Sequence, residues 1–173
     1  LVASDAAYEN GRGSAGFLAV VNPGTANEVR VGRVIDIPPE VYHLWGDRKT
    51  YIAQLELLAV FVAIVELAGL VRRSHGLWCI DNVAALMALV KGCSGVPSMD
   101  QMAKAIHLGS FSLEAQAYYE YVESKANWAD EISREGMKGS WAIKNKFNTR
   151  HCGVSTLLLR LPSIAIVRVF DYL

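Results

Sequence analysis

Four carboxylates stand at places in this chain where an acid calls for a reason. Asp5 lies among Leu1, Val2, Ala3, Ala6 and Ala7, in strand-like sequence where Asp is disfavoured. Glu56 interrupts the apolar stripe of a long helical pattern, and an unpaired buried carboxylate is costly. Asp81 closes a short strand-like run, 76–80, just before a second helical pattern, and Asp130 falls in the first turn of a last short helix. Each has an ordinary alternative. Asp81 and Asp130 can serve the N-terminal dipoles of their helices, Glu56 can occupy an exposed sliver of its helix, and Asp5 can lie at a strand end or edge. Together, carboxylates without matching cations nearby in sequence are a donor set for hard divalent metals, Mg²⁺ above all when phosphate supplies the remaining ligands. Two such ions about 4 Å apart clamp the attacking and leaving oxygens of a phosphodiester.

The composition bears on the same point. Of 173 residues, 17 are basic and 17 acidic, so the formal net charge is zero, and 52% are apolar. Disorder is excluded for most of the length, and so is a bulk electrostatic grip on a polyanion. Contact with nucleic acid then needs a local patch, or metal ions that bridge acids to phosphates. Cys79, Cys93 and Cys152 are odd in number and widely spaced. They form neither a disulfide framework nor a metal-binding pair, which points to a reducing, intracellular compartment, cytoplasm or nucleus. The longest apolar run, 57–65 between Glu56 and Glu66, is too short to span a bilayer, so no membrane is expected. The first residue is Leu1, strand-like sequence begins at once and no signal peptide precedes it, which reads as a piece of a longer polypeptide.

Residues 1–7 and 14–21 read as antiparallel strands joined by a turn at Asn10-Gly11, and 28–37 as a third strand ended by Pro38-Pro39. Thr50 is the expected N-cap of a helix from Tyr51 to about Leu70, because Ile52, Leu55, Leu58, Ala59, Val62 and Val65 recur at spacings of three and four. Its apolar content runs around most of the circumference, so it should be buried between layers. A strand at 76–80, helices at 83–90 and 99–108, an aromatic-rich strand at 115–122 and a short helix from about Trp128 complete the series. This order predicts an α/β fold: a five-stranded mixed sheet, an antiparallel meander plus parallel strands, flanked by helices. The carboxyl ends of strands meet in a crevice in such sheets, and Asp81 fits that rule. Asp5 must then lie on a neighbouring strand, with both helical acids over the same edge. From Lys138 the composition turns polar and basic, with Lys144, Lys146 and Arg150, and then apolar over 154–173. A main domain at 1–136 and an extension of unknown role at 137–173 are the expected division.

Ser4-Asp5-Ala6-Ala7 with Gly11, Gly13 and Gly16, then Leu55-Glu56-Leu57-Leu58-Ala59, Ile80-Asp81-Asn82, and Ser124-Lys125-Ala126-Asn127-Trp128-Ala129-Asp130-Glu131-Ile132-Ser133-Arg134 carry a family resemblance. Over 1–136 the chain resembles the ribonuclease H domain of retroelement reverse transcriptases, of retrotransposon or pararetrovirus type. The Asn-x-Ala-Asp-x-x-Ser-Arg ending is the most specific part, and the intervals 51, 25 and 49 between the four acids agree with that family. The resemblance implies a ribonuclease H-like fold and hydrolysis of the RNA strand of RNA/DNA hybrids with two Mg²⁺ ions, Mn²⁺ substituting. Asp5 would bridge both ions, Asp130 would complete the site that activates water, and Glu56 with Asp81 would hold the ion at the leaving 3′ oxygen. The new ends would be 5′-phosphate and 3′-hydroxyl. Asn82 and the turn at Gly11, Arg12 and Gly13 become candidate contacts to ribose 2′-hydroxyls. Asn127 either orients the last helix or touches substrate. The implied partners are the hybrid and a polymerase domain of the same polyprotein, with the basic stretch 138–150 a further possible hybrid contact.

Two other readings share this fold. A DDE-type integrase or transposase core would need a third carboxylate on a late helix roughly 35 residues after Asp81, where Gln116 stands. A non-catalytic connection or scaffold domain typically loses the acids, and all four are present. The family's mobile His before the last Asp has no counterpart at 122–130, where Lys125 is the basic residue.

Overall fold

A computed structural model of the chain describes residues 1–154; residues 155–173, with most of the apolar tail, lie outside the described residues. Strand β1, Val2–Glu9, turns through Asn10-Gly11 into β2, Arg12–Val21. Both turn residues have positive φ, 52° and 77°, the two-residue geometry whose twist matches antiparallel strands and which Asn-Gly adopts most easily. Strand β3, Val29–Asp36, continues the meander as expected.

After Pro38-Pro39 the chain forms a short helix, α1 (Glu40–Trp45), in a segment for which the sequence pattern predicts no element. The long buried helix is α2, Ile52–Glu66. It is shorter than expected, because the backbone breaks at Leu67 just before Gly69 and resumes as α3, Ala68–Val71. The expected cap also shifts by one residue. Tyr51 occupies the N-cap, while the Thr50 hydroxyl accepts from the Ile52 N–H at 3.3 Å. Then follow β4 (His75–Ile80), α4 (Val83–Lys91), α5 (Pro97–Ser112), β5 (Gln116–Tyr121), α6 (Asp130–Glu135), α7 (Ser140–Lys144) and β6 (Asn148–Gly153).

The sheet order is β5-β4-β1-β2-β3-β6, with β2 antiparallel to its neighbours and every other pairing parallel. Among the described residues the sheet thus has six strands rather than five, and the sixth comes from the segment expected as an extension. Its hydrophobic alternation is missing because β6 is an outer strand, and outer strands carry charge. Arg150 of β6 and the buried Arg33 of β3 both bind Glu66 at the end of α2, at 3.0 and 2.9 Å. Burial alone would raise the Glu66 carboxyl, but hydrogen bonds from the two guanidinium groups hold it below its ordinary range.

Helices α2, α4 and α5 cover one face around Phe17, Leu55, Leu58, Ile64 and Ile80. The opposite face is smaller: α6 and α7 close over Ala3, Leu18, Ile132 and Phe147. Helix α6 lies close because Gly16 presents no side chain. A Cβ there would meet the Arg33 carbonyl at 2.9 Å and Ile132 Cγ2 at 3.0 Å. Gly16→Ala is therefore expected to lower stability by about 1–3 kcal/mol, since backbone cannot move aside as a flexible side chain can. A thermal melt checks it; an unchanged midpoint would mean that α6 rides on a softer contact. No described helix is long and apolar enough to cross a membrane.

Candidate metal centre

The parallel pair β1–β4 is joined only at Val2–Trp78 and Ala3–Cys79, whereas β2 follows β1 along its whole length. Past those two pairs the central strands part. Asp5 on β1 and Asp81, one residue beyond β4, border the gap, the position at which open α/β sheets build sites.

Asp5 and Ala3 point to the α6 side, and the buried Ser133 hydroxyl of α6 bonds the Asp5 carboxylate and lies 2.9 Å from the Asp130 carbonyl. Glu56 arrives from the other layer. Its Oε1 accepts from the Ala6 N–H at 3.2 Å, so the strand backbone itself aims the side chain at the gap. Oxygens of Asp5, Glu56 and Asp81 lie within 4.8 Å of one another. Asp5 and Glu56 are buried, and Asp81 is half-buried.

Three carboxylates that close repel one another, and burial removes the water that would stabilise their charge. Burial first, then Asp81 and Asp130, raise Asp5 to about 7 against the opposing pull of the Ser133 hydrogen bond and Arg134. Glu56 is raised well above its ordinary range, by burial and then by Asp5 and Asp81. Among the described residues, its Oε2 has no hydrogen-bond donor against it. A buried carboxyl oxygen with no partner, beside two more acids, is an arrangement that a hard oxygen-seeking cation satisfies. The donor set therefore fits divalent ions such as Mg²⁺.

Asp130 is close enough to act on Asp5 but is not among the three converging acids. Its Oδ1 accepts from Arg134 Nε at 2.8 Å, and Arg134 reaches Glu9, at the end of β1, at 3.1 Å. Ser133 and Arg134 belong to the sequence motif but received no role from it. The available signal was their spacing, three and four residues after Asp130, which places them beside it on a helix.

The remaining candidates separate by burial. Asn127 is buried; its Nδ2 donates to the Ser4 carbonyl at 2.9 Å and its Oδ1 accepts from the Ala129 N–H at 3.1 Å. Of its two expected roles, orienting the last helix against β1 is the one the geometry carries. The Asn82 side chain caps α4 by accepting from the Ala85 N–H at 3.0 Å, so only its NH₂ end can face a ligand. The Gly13 N–H donates to Tyr42 Oη of α1 at 2.8 Å, which removes it as a free donor. Gly11 and Arg12 are exposed, and Arg12 lines a groove with Glu9, Ser14 and Arg134. Gln116 pairs with His75 at the opposite end of β5 from the gap, so an acid there could not complete a DDE-type site.

Among solved structures, the chain is similar to the N-terminal ribonuclease H domain of Rv2228c from Mycobacterium tuberculosis, solved as a fusion with maltose-binding protein. The TM-score is 0.52 at 14% identity, over 83% of this chain and 96% of that one. The chain has a ribonuclease H-like fold. No family model and no curated protein matches it.

Proposed function

We propose that this protein is a metal-dependent endonuclease that hydrolyses the RNA strand of RNA/DNA hybrids, acting as part of a retroelement reverse transcriptase polyprotein. The observation that carries the reading is the convergence of Asp5, Glu56 and Asp81 at the gap between β1 and β4, with Glu56 Oε2 lacking a donor among the described residues. The Asn127 to Arg134 ending supports the retroelement context, with a polymerase domain as partner in an intracellular setting.

Asp5, Glu56 and Asp81 would hold the divalent ions, and Asp130 would join them on turning away from Arg134. When bound, a pair of such ions supplies Lewis-acid stabilisation to the attacking and leaving oxygens of a phosphodiester. The protein's own part is placement. The Ala6 N–H fixes Glu56, Ser133 fixes Asp5, and Asn127 fixes the start of α6 so that Asp130 faces the same edge. Arg12 and the exposed Gly11 turn would border the strand to be cut, and the Asn82 amide nitrogen, which the cap leaves free, would donate to a ribose 2′-hydroxyl.

The test is cleavage of an end-labelled hybrid by the full chain in Mg²⁺, in Mn²⁺ and in chelator. The expected result is cutting of the RNA strand only, with 5′-phosphate ends, in either metal and none in chelator. Equal cutting of duplex DNA would overturn the substrate, and intact hybrid under every condition would favour a scaffold role instead.

A further inference from the structure

On the sheet face that carries α6, Trp128 and Trp141 stack with ring centroids 5.2 Å apart and planes 25° from parallel. Trp128 remains 37% exposed, whereas Trp45 and Trp78, the other two tryptophans of the chain, are buried. The pair is held firmly. The Trp141 backbone N–H donates to Glu131 Oε2 at 2.8 Å, the same carboxylate accepts from the Ser140 hydroxyl at 3.1 Å, and the Trp141 and Phe147 ring centroids are 5.7 Å apart. Trp128 sits between Asn127, anchored to β1, and the fully buried Ala129. A ligand laid on these rings therefore has little side-chain freedom left to remove.

A groove lined by Ser124, Lys125, Asn127, Trp128, Asp130 and Trp141 joins the pair to the fourth carboxylate of the candidate metal centre. Its acids are already engaged: Glu131 by Ser140 and Trp141, and Asp130 by Arg134. The groove thus offers an aromatic face and the exposed Lys125, with the charge of Asp130 balanced by Arg134 and the Glu131 carboxylate turned to its two neutral donors. A flat ring joined to a phosphate matches both features at once, because every base has a π-face and the lysine suits the backbone. An apolar peptide side chain would match only the first.

We propose that Trp128 and Trp141 form a stacking platform for an unpaired nucleotide, holding single-stranded nucleic acid where it leaves the metal centre. This rests on reading that centre as a hybrid-cleaving site, and it adds a preference: hybrids that carry a single-stranded extension are favoured over blunt ones.

The experiment is a tryptophan-fluorescence titration of the full chain in chelator at low salt. The probes are a short single-stranded oligonucleotide, a hybrid with a few unpaired nucleotides at one end, and the same hybrid blunt. Quenching reports on Trp128 and Trp141, because Trp45 and Trp78 are shielded. The extended hybrid is expected to bind about tenfold tighter than the blunt one, the size of one base–aromatic stack. Trp128→Ala should bring that ratio close to one, and Trp128→Phe should restore part of it, with unfolding midpoints showing that both variants are folded. A ratio near one in the unaltered protein, a ratio that survives Trp128→Ala, or no quenching by either single-stranded probe overturns the platform. Because no metal is present, failure of hybrid cleavage would undo the reading of the metal centre without producing any of these outcomes.

Discussion

Asp5→Asn and Glu56→Gln are each expected to lower hydrolysis of the RNA strand by about 10³-fold or more, since each removes a charged ligand for ions that act in the transition state. In chelator the same variants are expected to melt higher than the unaltered protein. Both acids are buried, and both are pushed upward first by burial and then by neighbouring carboxylates, so their ionised forms weaken the fold. An uncharged isostere keeps the shape and removes the repulsion, a gain on the order of 2 kcal/mol at pH 8. This opposite movement of activity and stability separates a ligand cluster from an ordinary buried ion pair, whose disruption lowers both. Hybrid cleavage assays beside thermal melts decide it; activity unchanged in both variants would sink the site assignment.

Divalent metal is expected to stabilise the protein, and to do so increasingly as the pH rises. Asp5 titrates near 7 in the folded chain, and its unfolded value lies near 4. Between those values the folded state binds more protons than the unfolded one, so the free energy of unfolding falls as pH rises, by up to about 1.4 kcal/mol per unit for each such carboxyl. Glu56, raised as well, acts with the same sign. The charges facing the pair are Asp81, Asp130 and Arg134. The carboxyls held low, Glu28, Glu66 and Asp100, have the opposite sign and lose their contribution only in more acidic solution. In chelator the melting temperature should therefore decline from about pH 5 to about pH 8. Saturating Mg²⁺ should flatten the decline, adding about 2.7 kcal/mol at a hundredfold excess over its dissociation constant. Melts across this range with and without the ion check it, and parallel curves would show that these acids do not bind the metal.

Much of this site was legible because its residues conflict with their local setting. An Asp in an alanine-rich strand and a Glu in an otherwise apolar helix oppose the propensity and patterning around them, and such conflicts concentrate where function overrides stability. The Asn10-Gly11 hairpin was legible because few sequences adopt two successive positive φ angles easily. Strand β6 was not, since Arg150 and His151 hide its register, and its place depends on β3 and Glu66, far away in sequence. Helix α1 was hidden behind Pro38-Pro39, and with it the Tyr42 hydroxyl that takes the Gly13 N–H.

The amino-acid order alone determined most of the series of strands and helices and set two acids inside a strand and a helix and two at element ends, because periodicity, turn chemistry and helix signals act over a few residues. Only the tertiary structure decided that β1 and β4 separate after Ala3 and Cys79, that Glu56 crosses from the other layer to the Ala6 N–H, and that Asp130 is drawn to Arg134 while three acids converge. It also gathered the acids of a neutral chain into one gap and set an aromatic groove beside it. Strand pairing, burial and mutual repulsion are properties of groups brought together from distant parts of the chain, so no local window of sequence contains them.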